Sequence, residues 1–155
     1  MNLLLKHSVN KKALRANTKK MDVLKLALEC HVMANIHSEV FKNFSGIFAK
    51  EDEYFNKITR NLSHIKEEDV NISSGAGDTG FAIKELNRLN DFLTPYEKCL
   101  CLRRAITLAT QSGSRVTAAD DLVSIITLLI IRSDVPNWHL NFQFMTGMMS
   151  FTPLL

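Results

Sequence analysis

The chain has 155 residues, of which 46% are hydrophobic and 23% charged, and its formal net charge is +3. This composition indicates one globular domain with enough apolar material for a single core, and it excludes a disordered chain. The small charge, without a stripe of lysine and arginine among aromatic residues, excludes a nucleic-acid partner.

The three cysteines, Cys30, Cys99 and Cys101, form no C-x-x-C pair and leave an odd thiol. This pattern fits a reducing cytosol better than secretion. It also gives no reason to expect a structural metal, and no motif indicates a cofactor.

Residues 1–20 form a basic lead-in, in which six lysine and arginine residues follow a short leucine run. A secretory signal has its charges before a longer apolar stretch, so this reading is excluded. We interpret the segment as a solvated helix or a frayed lead-in. A transit peptide and a weak contact with an anionic membrane are the alternatives.

Residues 21–48 carry apolar side chains at helical spacing and predict one long helix, with a bend or break near Ser45 and Gly46. The predicted stripe consists of Leu24, Leu28, Val32, Ile36, Val40, Phe44 and Phe48. Residues 53–65 predict a second amphipathic helix that packs on the bundle, because their apolar residues share one face.

Residues 66–80 predict the main loop, which is rich in acids and then in serine and glycine. The stretch from Gly75 to Gly80 satisfies G-x-G-x-x-G letter for letter. That fingerprint binds a dinucleotide only where it connects a hydrophobic strand to a helix in a βαβ unit. Here the segments on both sides of the motif are predicted helices. We therefore predict a mobile loop and no nucleotide site.

Residues 81–92 predict a further helix. The next helix begins after Thr94, since Pro95 suits a first helical position and Glu97 completes a T-x-x-E capping box. Residues 111–115 form the short connection that follows it.

The stretch from Val116 to Asn141 is the centre of the chain. Its apolar run, from Leu122 to Ile131, predicts a helix buried in the middle of a bundle. Thr117 is a candidate N-cap, which places Asp120 and Asp121 in the first turn, where the helix dipole favours acids. A last short helix follows Pro136. The predicted fold is all-α, a single multi-helix bundle.

These residues resemble the vacuolar-protein-sorting-nine (VPS-nine) domain family. The resemblance lies in AADDLVSIITLLIIRSDVPN, in LTPYEKCLCLRR from Leu93 to Arg104, and in the stretch from His31 to Phe41, and it covers residues 21–144. FNKITRNL, ELNRLN, TQSGS and VPNW are most similar to the Varp-like, ankyrin-repeat branch. By this resemblance the domain covers residues 21–150, and residues 151–155 form a tail.

The resemblance implies a guanine nucleotide exchange factor for Rab-five-class small GTPases, of the Rab-five or Rab-twenty-one type. Such a domain regulates the GTPase without covalent chemistry of its own. Asp120 corresponds to the catalytic acid that projects toward the phosphate-binding loop of the GTPase. The further GTPase-binding positions are Asp121, Ser124, which stands where most members have proline, and Pro136 and Asn137.

The resemblance also implies a cytoplasmic protein of endosomal trafficking, with a peripheral contact to early or late endosomes. The family's Tyr-bearing second wall of the GTPase groove has no counterpart in this sequence. We therefore expect a bundle that is incomplete at its C-terminus and weak or no exchange activity. The alternatives are a non-catalytic Rab-binding adaptor and a helical interaction module that docks a partner on exposed Trp138, Phe142 and Phe144.

Overall fold

A computed structural model describes residues 3–70, 79–111 and 119–148, with the side chains of residues 15, 17–70, 79–110 and 121–148. Helices α1 to α5 span Leu3–Asn61, Thr79–Leu86, Pro95–Gln111, Ala119–Arg132 and Trp138–Met148, and short 3₁₀ turns span Glu68–Val70 and Leu89–Asp91. These ranges contain no strand, which confirms the predicted all-α bundle. Residues 71–78, with most of the predicted loop, and Thr117 lie outside the described residues.

Helix α1 is one continuous helix of 59 residues, Leu3–Asn61, where the sequence predicts two. No break occurs at Ser45 or Gly46. The segment 53–61 is the end of this helix, and the chain leaves it at Leu62. A helix of this length accounts for the contact of α1 with most of the bundle.

The predicted apolar stripe of α1 is wrong as a single face. A strict four-residue spacing drifts by about 40° per step around a helix of 3.6 residues per turn, so a stripe from Leu24 to Phe48 winds to the opposite side. Leu24 and Leu28 are 61% and 62% exposed. The predicted Val40, Phe44 and Phe48 are half-buried, and the packed register follows mixed spacings of three and four through Leu26, Cys30, Met33, His37, Phe41, Phe44 and Phe48.

The core lies between α2, α3, α4 and the start of α5. Its fully buried side chains include Leu89, Cys101, Ala105, Leu128 and Leu129. Helix α4 supplies Leu128 and Leu129, as its apolar run predicts, but Val123 and Thr127 on the same helix are exposed. One side of α4 therefore faces solvent, and the helix is not surrounded by the bundle.

The predicted capping box is confirmed at the start of α3. The Thr94 hydroxyl accepts from the Glu97 N–H at 3.2 Å, and the Glu97 carboxylate accepts from the Thr94 N–H at 3.3 Å. Each side chain thus satisfies one backbone donor that the helix start leaves free. This fixes the direction of α3 against α2.

The predicted helix 81–92 is interrupted after Leu86, where a 3₁₀ turn takes over. Asparagine side chains offer backbone groups alternatives to helix bonds, and here Asn87 Oδ1 accepts from the Asp134 N–H at 2.8 Å. The Leu89 carbonyl accepts from Lys98 Nζ at 2.9 Å. Tertiary hydrogen bonds therefore replace the continuation of the helix.

Helix α5 is held to α1 by polar contacts. The buried Asp52 carboxylate accepts from the N–H groups of His139 at 2.7 Å and Leu140 at 3.3 Å. An acid at this place satisfies free donors and interacts favourably with the helix dipole. Asn56 Nδ2 also donates to the Pro136 carbonyl at 2.6 Å. Helix α1 therefore positions both the first turn of α5 and the segment that leads into it.

Among the helices in the described ranges, none combines the length and the hydropathy that a bilayer-crossing segment needs.

Candidate functional site

The start of α4 carries three of the predicted site residues. The helix begins at Ala119, so the backbone of Asp120 and Asp121 lies in its first turn, and Ser124 lies one turn on. The Asp120 side chain is outside the described part of the chain. Asp121 and Ser124 are half-buried. The free N–H groups of a helix start favour acids at these positions, as the sequence predicts.

Position 120 shares a helix stripe with Val123 and Thr127, because residues three and seven positions apart lie on the same face. Val123 is 66% exposed, and Thr127 is exposed with its hydroxyl donating to the Val123 carbonyl at 2.8 Å. Position 121 lies about 100° around the helix from position 120. We call Val123, Thr127 and position 120 the open face of α4. It combines one apolar and one hydroxyl-bearing side chain with an acid in the first turn.

Beside this open face lies an apolar groove of about 180 Å³. It is formed by α2, α3, α4 and α5, and its lining residues are Leu86, Leu102, Ala105, Ile106, Ile126, Leu129, Ile130, Trp138, Phe142 and Met145. Phe142 is exposed at 57% and stands at the edge of the groove. The open face and the groove together form one apolar surface, with the acids at one end.

Pro136 and Asn137 lie beyond the other end of α4. Arg132 ends that helix, about 18 Å from position 120 at 1.5 Å per residue. Asn137 Oδ1 accepts from Asn90 Nδ2 at 2.8 Å and from Asn141 Nδ2 at 3.0 Å. The structure thus does not bring these two residues together with the acids, and their GTPase-binding role stays a prediction.

The aromatic residues of α5 are not the exposed docking surface that one interpretation of the sequence expects. Trp138 is buried and Phe144 is fully buried, and only Phe142 of the three is exposed. Phe144 packs edge-on against the rings of His37 and Phe41, with centroid distances of 5.3 Å and 5.5 Å. Trp138 and Phe142 lie on the same side of α5 and both line the groove, with Phe142 at its open edge.

A buried lysine, which sequence reasoning does not single out, lies at the junction of α1, α3 and α5. Lys98 has no exposed surface, and its ammonium lies 5.0 Å from the centroid of Phe41 and 6.0 Å from that of Phe144. Burial lowers the pKa of Lys98 to about 8. Burial, with the charge of Lys98, also lowers the pKa of His37. This cluster holds α1 to the bundle and faces away from the open face of α4.

Lys98 predicts a specific pH dependence of stability. Between pH 8 and 10.5 the folded chain loses a proton that unfolded lysine keeps, so the free energy of unfolding rises with pH in that window. Near and above pH 9.0 the thiols oppose this gain, because burial raises the pKa of Cys101 to about 11 and also raises that of Cys30 and Cys99.

Between pH 7 and pH 9 we therefore expect a net gain of about 1 kcal/mol, measured by urea unfolding at both values. Lys98→Met should lack this gain, whereas Lys57→Met, at an exposed position, should keep it. An equal gain in all three proteins would contradict the assignment.

The cysteines are poor nucleophiles. Burial raises the pKa of the thiols of Cys30, Cys99 and Cys101, and only the thiolate is reactive. Within the ranges that the structure describes, no group of three or more His, Cys, Asp or Glu side chains is arranged to hold a metal ion.

Comparison with known proteins places this surface in a family. A family model of the Vacuolar sorting protein 9 (VPS9) domain matches residues 79–154, which include α2 to α5 and the whole candidate site. No solved structure matches the chain. Helix α1 precedes the matched region and packs against it. Residues 79–154 of the chain therefore belong to the VPS9 domain family, whose function is guanine nucleotide exchange of the Rab type.

Proposed function

We propose that the chain promotes weak nucleotide exchange on small GTPases of the Rab-five class, through the open face of α4. One observation carries the proposal. In a VPS9 domain, α4 presents exposed Val123 and Thr127 to solvent on the same stripe as Asp120, beside an apolar groove. This surface offers a partner both an apolar contact area and an acid at a fixed position.

Exchange requires no covalent chemistry, since the factor only has to favour the nucleotide-free GTPase. By linkage, a protein that lowers the affinity of a GTPase for GDP must bind the GDP-free form more tightly by the same factor. A carboxylate near the phosphate site supplies this preference, because it repels the phosphates and pairs with the cations that hold them.

The acid suits this task because of where it is placed. The backbone of Asp120 belongs to the first turn of α4, which the buried side chains of Leu128 and Leu129 anchor in the core. A charge held on a rigid element needs no reorganisation when the partner binds. Asp121 and Ser124, which lie on one side of this stripe at about 100° and 40° from position 120, complete the acidic end of the surface that we assign to the GTPase.

The GTPase class and the place of action follow from the resemblance of the motif around Asp120. We propose Rab-five-type and Rab-twenty-one-type GTPases as substrates, and endosomal membranes facing the cytoplasm as the location. Purified chain tested against a panel of Rab GTPases would rank these substrates. Binding without accelerated release would instead assign the chain to Rab-binding adaptors.

The apolar half of the site can be tested by a matched pair of variants. Val123→Asp should weaken binding to a nucleotide-free Rab GTPase by about tenfold or more, because it places a charge in the contact area. Ile47→Asp makes the same change at a position on α1 of equal exposure, 65% against 66%, and should leave the affinity unchanged. Calorimetric titration measures both. Equal affinities for Val123→Asp and the unmodified chain would show that the partner does not use the open face of α4.

A further inference from the structure

Helix α1 carries an apolar face that the bundle does not cover. We call Met21, Leu24, Leu28 and Val32 the outer stripe of α1. Their exposed fractions are 52%, 61%, 62% and 44%. Contiguous apolar residues at this exposure mark a contact surface.

The outer stripe points away from the bundle. Leu28 and His37 are nine residues apart, which corresponds to about half a turn around a helix, and His37 packs on Phe41 and Phe144. The bundle therefore lies on one side of α1 and the outer stripe on the other. From Arg15 to Lys25, moreover, every described side chain is exposed. A flat surface could approach the stripe without meeting the bundle.

The charge around the outer stripe is strongly positive. From Leu3 to Leu28 the sequence contains seven lysine and arginine residues and one acid, Asp22. Of the basic residues, Arg15, Lys19, Lys20 and Lys25 are exposed. A helix with an apolar stripe and a basic remainder has the composition of helices that lie in the interface of an anionic bilayer.

A second copy of the chain fits the stripe less well. Two copies paired antiparallel about Leu28 would place residues 15–25 of one opposite residues 31–41 of the other. That second segment offers only one acid, Glu39, to the basic side chains. Self-association would thus bury the apolar stripe but leave most of the lysine charge without a counter-charge. An anionic lipid surface would both bury the stripe and neutralise the lysines.

We infer that the outer stripe of α1 binds an anionic lipid surface, with the helix lying in the plane of the interface and the bundle on its far side. This function is independent of the GTPase site, since α4 and the groove lie on other elements. It would hold the open face of α4 near a membrane that carries a lipid-anchored partner.

Vesicle co-sedimentation tests the inference on the full chain. We expect binding to phosphatidylcholine vesicles that contain phosphatidylserine, a loss of binding as salt is raised, and negligible binding to pure phosphatidylcholine. Leu28→Asp should reduce the binding at least about tenfold, because it puts a charge in the centre of the stripe. Ile47→Asp is the control. It is equally exposed and lies about 28 Å along the helix from Leu28.

The basic contribution is tested in the same way. Lys20→Glu combined with Lys25→Glu should reduce binding at least about tenfold, since these exposed lysines flank the outer stripe and each lysine near an anionic surface contributes about fivefold. Lys50→Glu combined with Lys57→Glu makes the same charge change on α1 outside the stripe and should have a much smaller effect. Circular dichroism checks that the helical content of each variant is retained.

Three results would overturn the inference. The first is no preference for vesicles containing phosphatidylserine. The second is equal binding by Leu28→Asp and Ile47→Asp. The third is a dimer in analytical ultracentrifugation that Leu28→Asp dissociates, without vesicle binding, which would assign the outer stripe to a second copy.

Discussion

Replacing Leu128 with alanine should lower the free energy of unfolding by about 3 to 5 kcal/mol. Leu128 has no exposed surface and lies in the middle of α4, where α2, α3 and α1 all contact that helix. The loss combines the transfer free energy of the removed methyl groups with the cavity that rigid neighbours leave open. Urea unfolding followed by circular dichroism measures it.

Ile126→Ala is the control on the same helix. Ile126 is half-buried and lines the open groove, so its truncation leaves a space that water can enter. We expect a cost of about 1 to 2 kcal/mol there. Equal costs at both positions would mean that Ile126 is as tightly packed as Leu128 and that the groove it lines is closed.

This pair of residues shows how far the sequence predicts the fold. The apolar run locates α4 and its burial, but a run that is apolar on every side does not show which side stays open. Val123 is as apolar as its neighbours and is nonetheless exposed. The groove depends on how α3 and α5 are placed around α4, which is a tertiary property that no local pattern contains.

Sequence patterns that span one helical turn are more reliable here than patterns that span many turns. The capping box at Thr94 and Glu97 is correct in its hydrogen bonds, because it depends on residues three positions apart. The stripe on α1 is wrong because a four-residue spacing that is tolerable over two turns accumulates a large drift over seven. The mixed spacing through Leu26, Cys30, Met33 and His37 was available as a signal and indicates the packed face.

Buried polar residues could be predicted only in part. Asp52 falls in the packed register of α1, between Phe48 and Phe55, and an acid in that register indicates a tertiary partner. The partner itself, the start of α5, lies more than eighty residues away and could not be derived from it. Lys98, between apolar neighbours on α3, gives a similarly incomplete signal.

At the candidate site, the sequence predicts where the acids lie and the structure shows what lies beside them. Asp120 and Asp121 are in the first turn of α4, as the motif indicates. Pro136 and Asn137 are separated from these acids because α4 lies between them. Residues of one short motif are therefore far apart in space.

Replacing Asp120 with alanine should abolish the weak acceleration of nucleotide release, because removal of one preorganised charge or donor from a site typically costs on the order of 100-fold in rate. Affinity for the nucleotide-free GTPase should fall less, because the apolar contacts of Val123 and the groove remain. Loss of release with retained binding is therefore the signature of a carboxylate that acts on the nucleotide.

The central claim is that Asp120 at the start of α4 displaces the nucleotide. Release of a fluorescent GDP analogue from a Rab-five-class GTPase, followed at increasing chain concentration until the rate saturates, tests it most directly. Asp134→Ala is the matched control, since it removes an exposed acid at the other end of α4. We predict that the unmodified chain and Asp134→Ala accelerate release equally and that Asp120→Ala returns the rate to that of the GTPase alone. Equal acceleration by Asp120→Ala and the unmodified chain would contradict the claim.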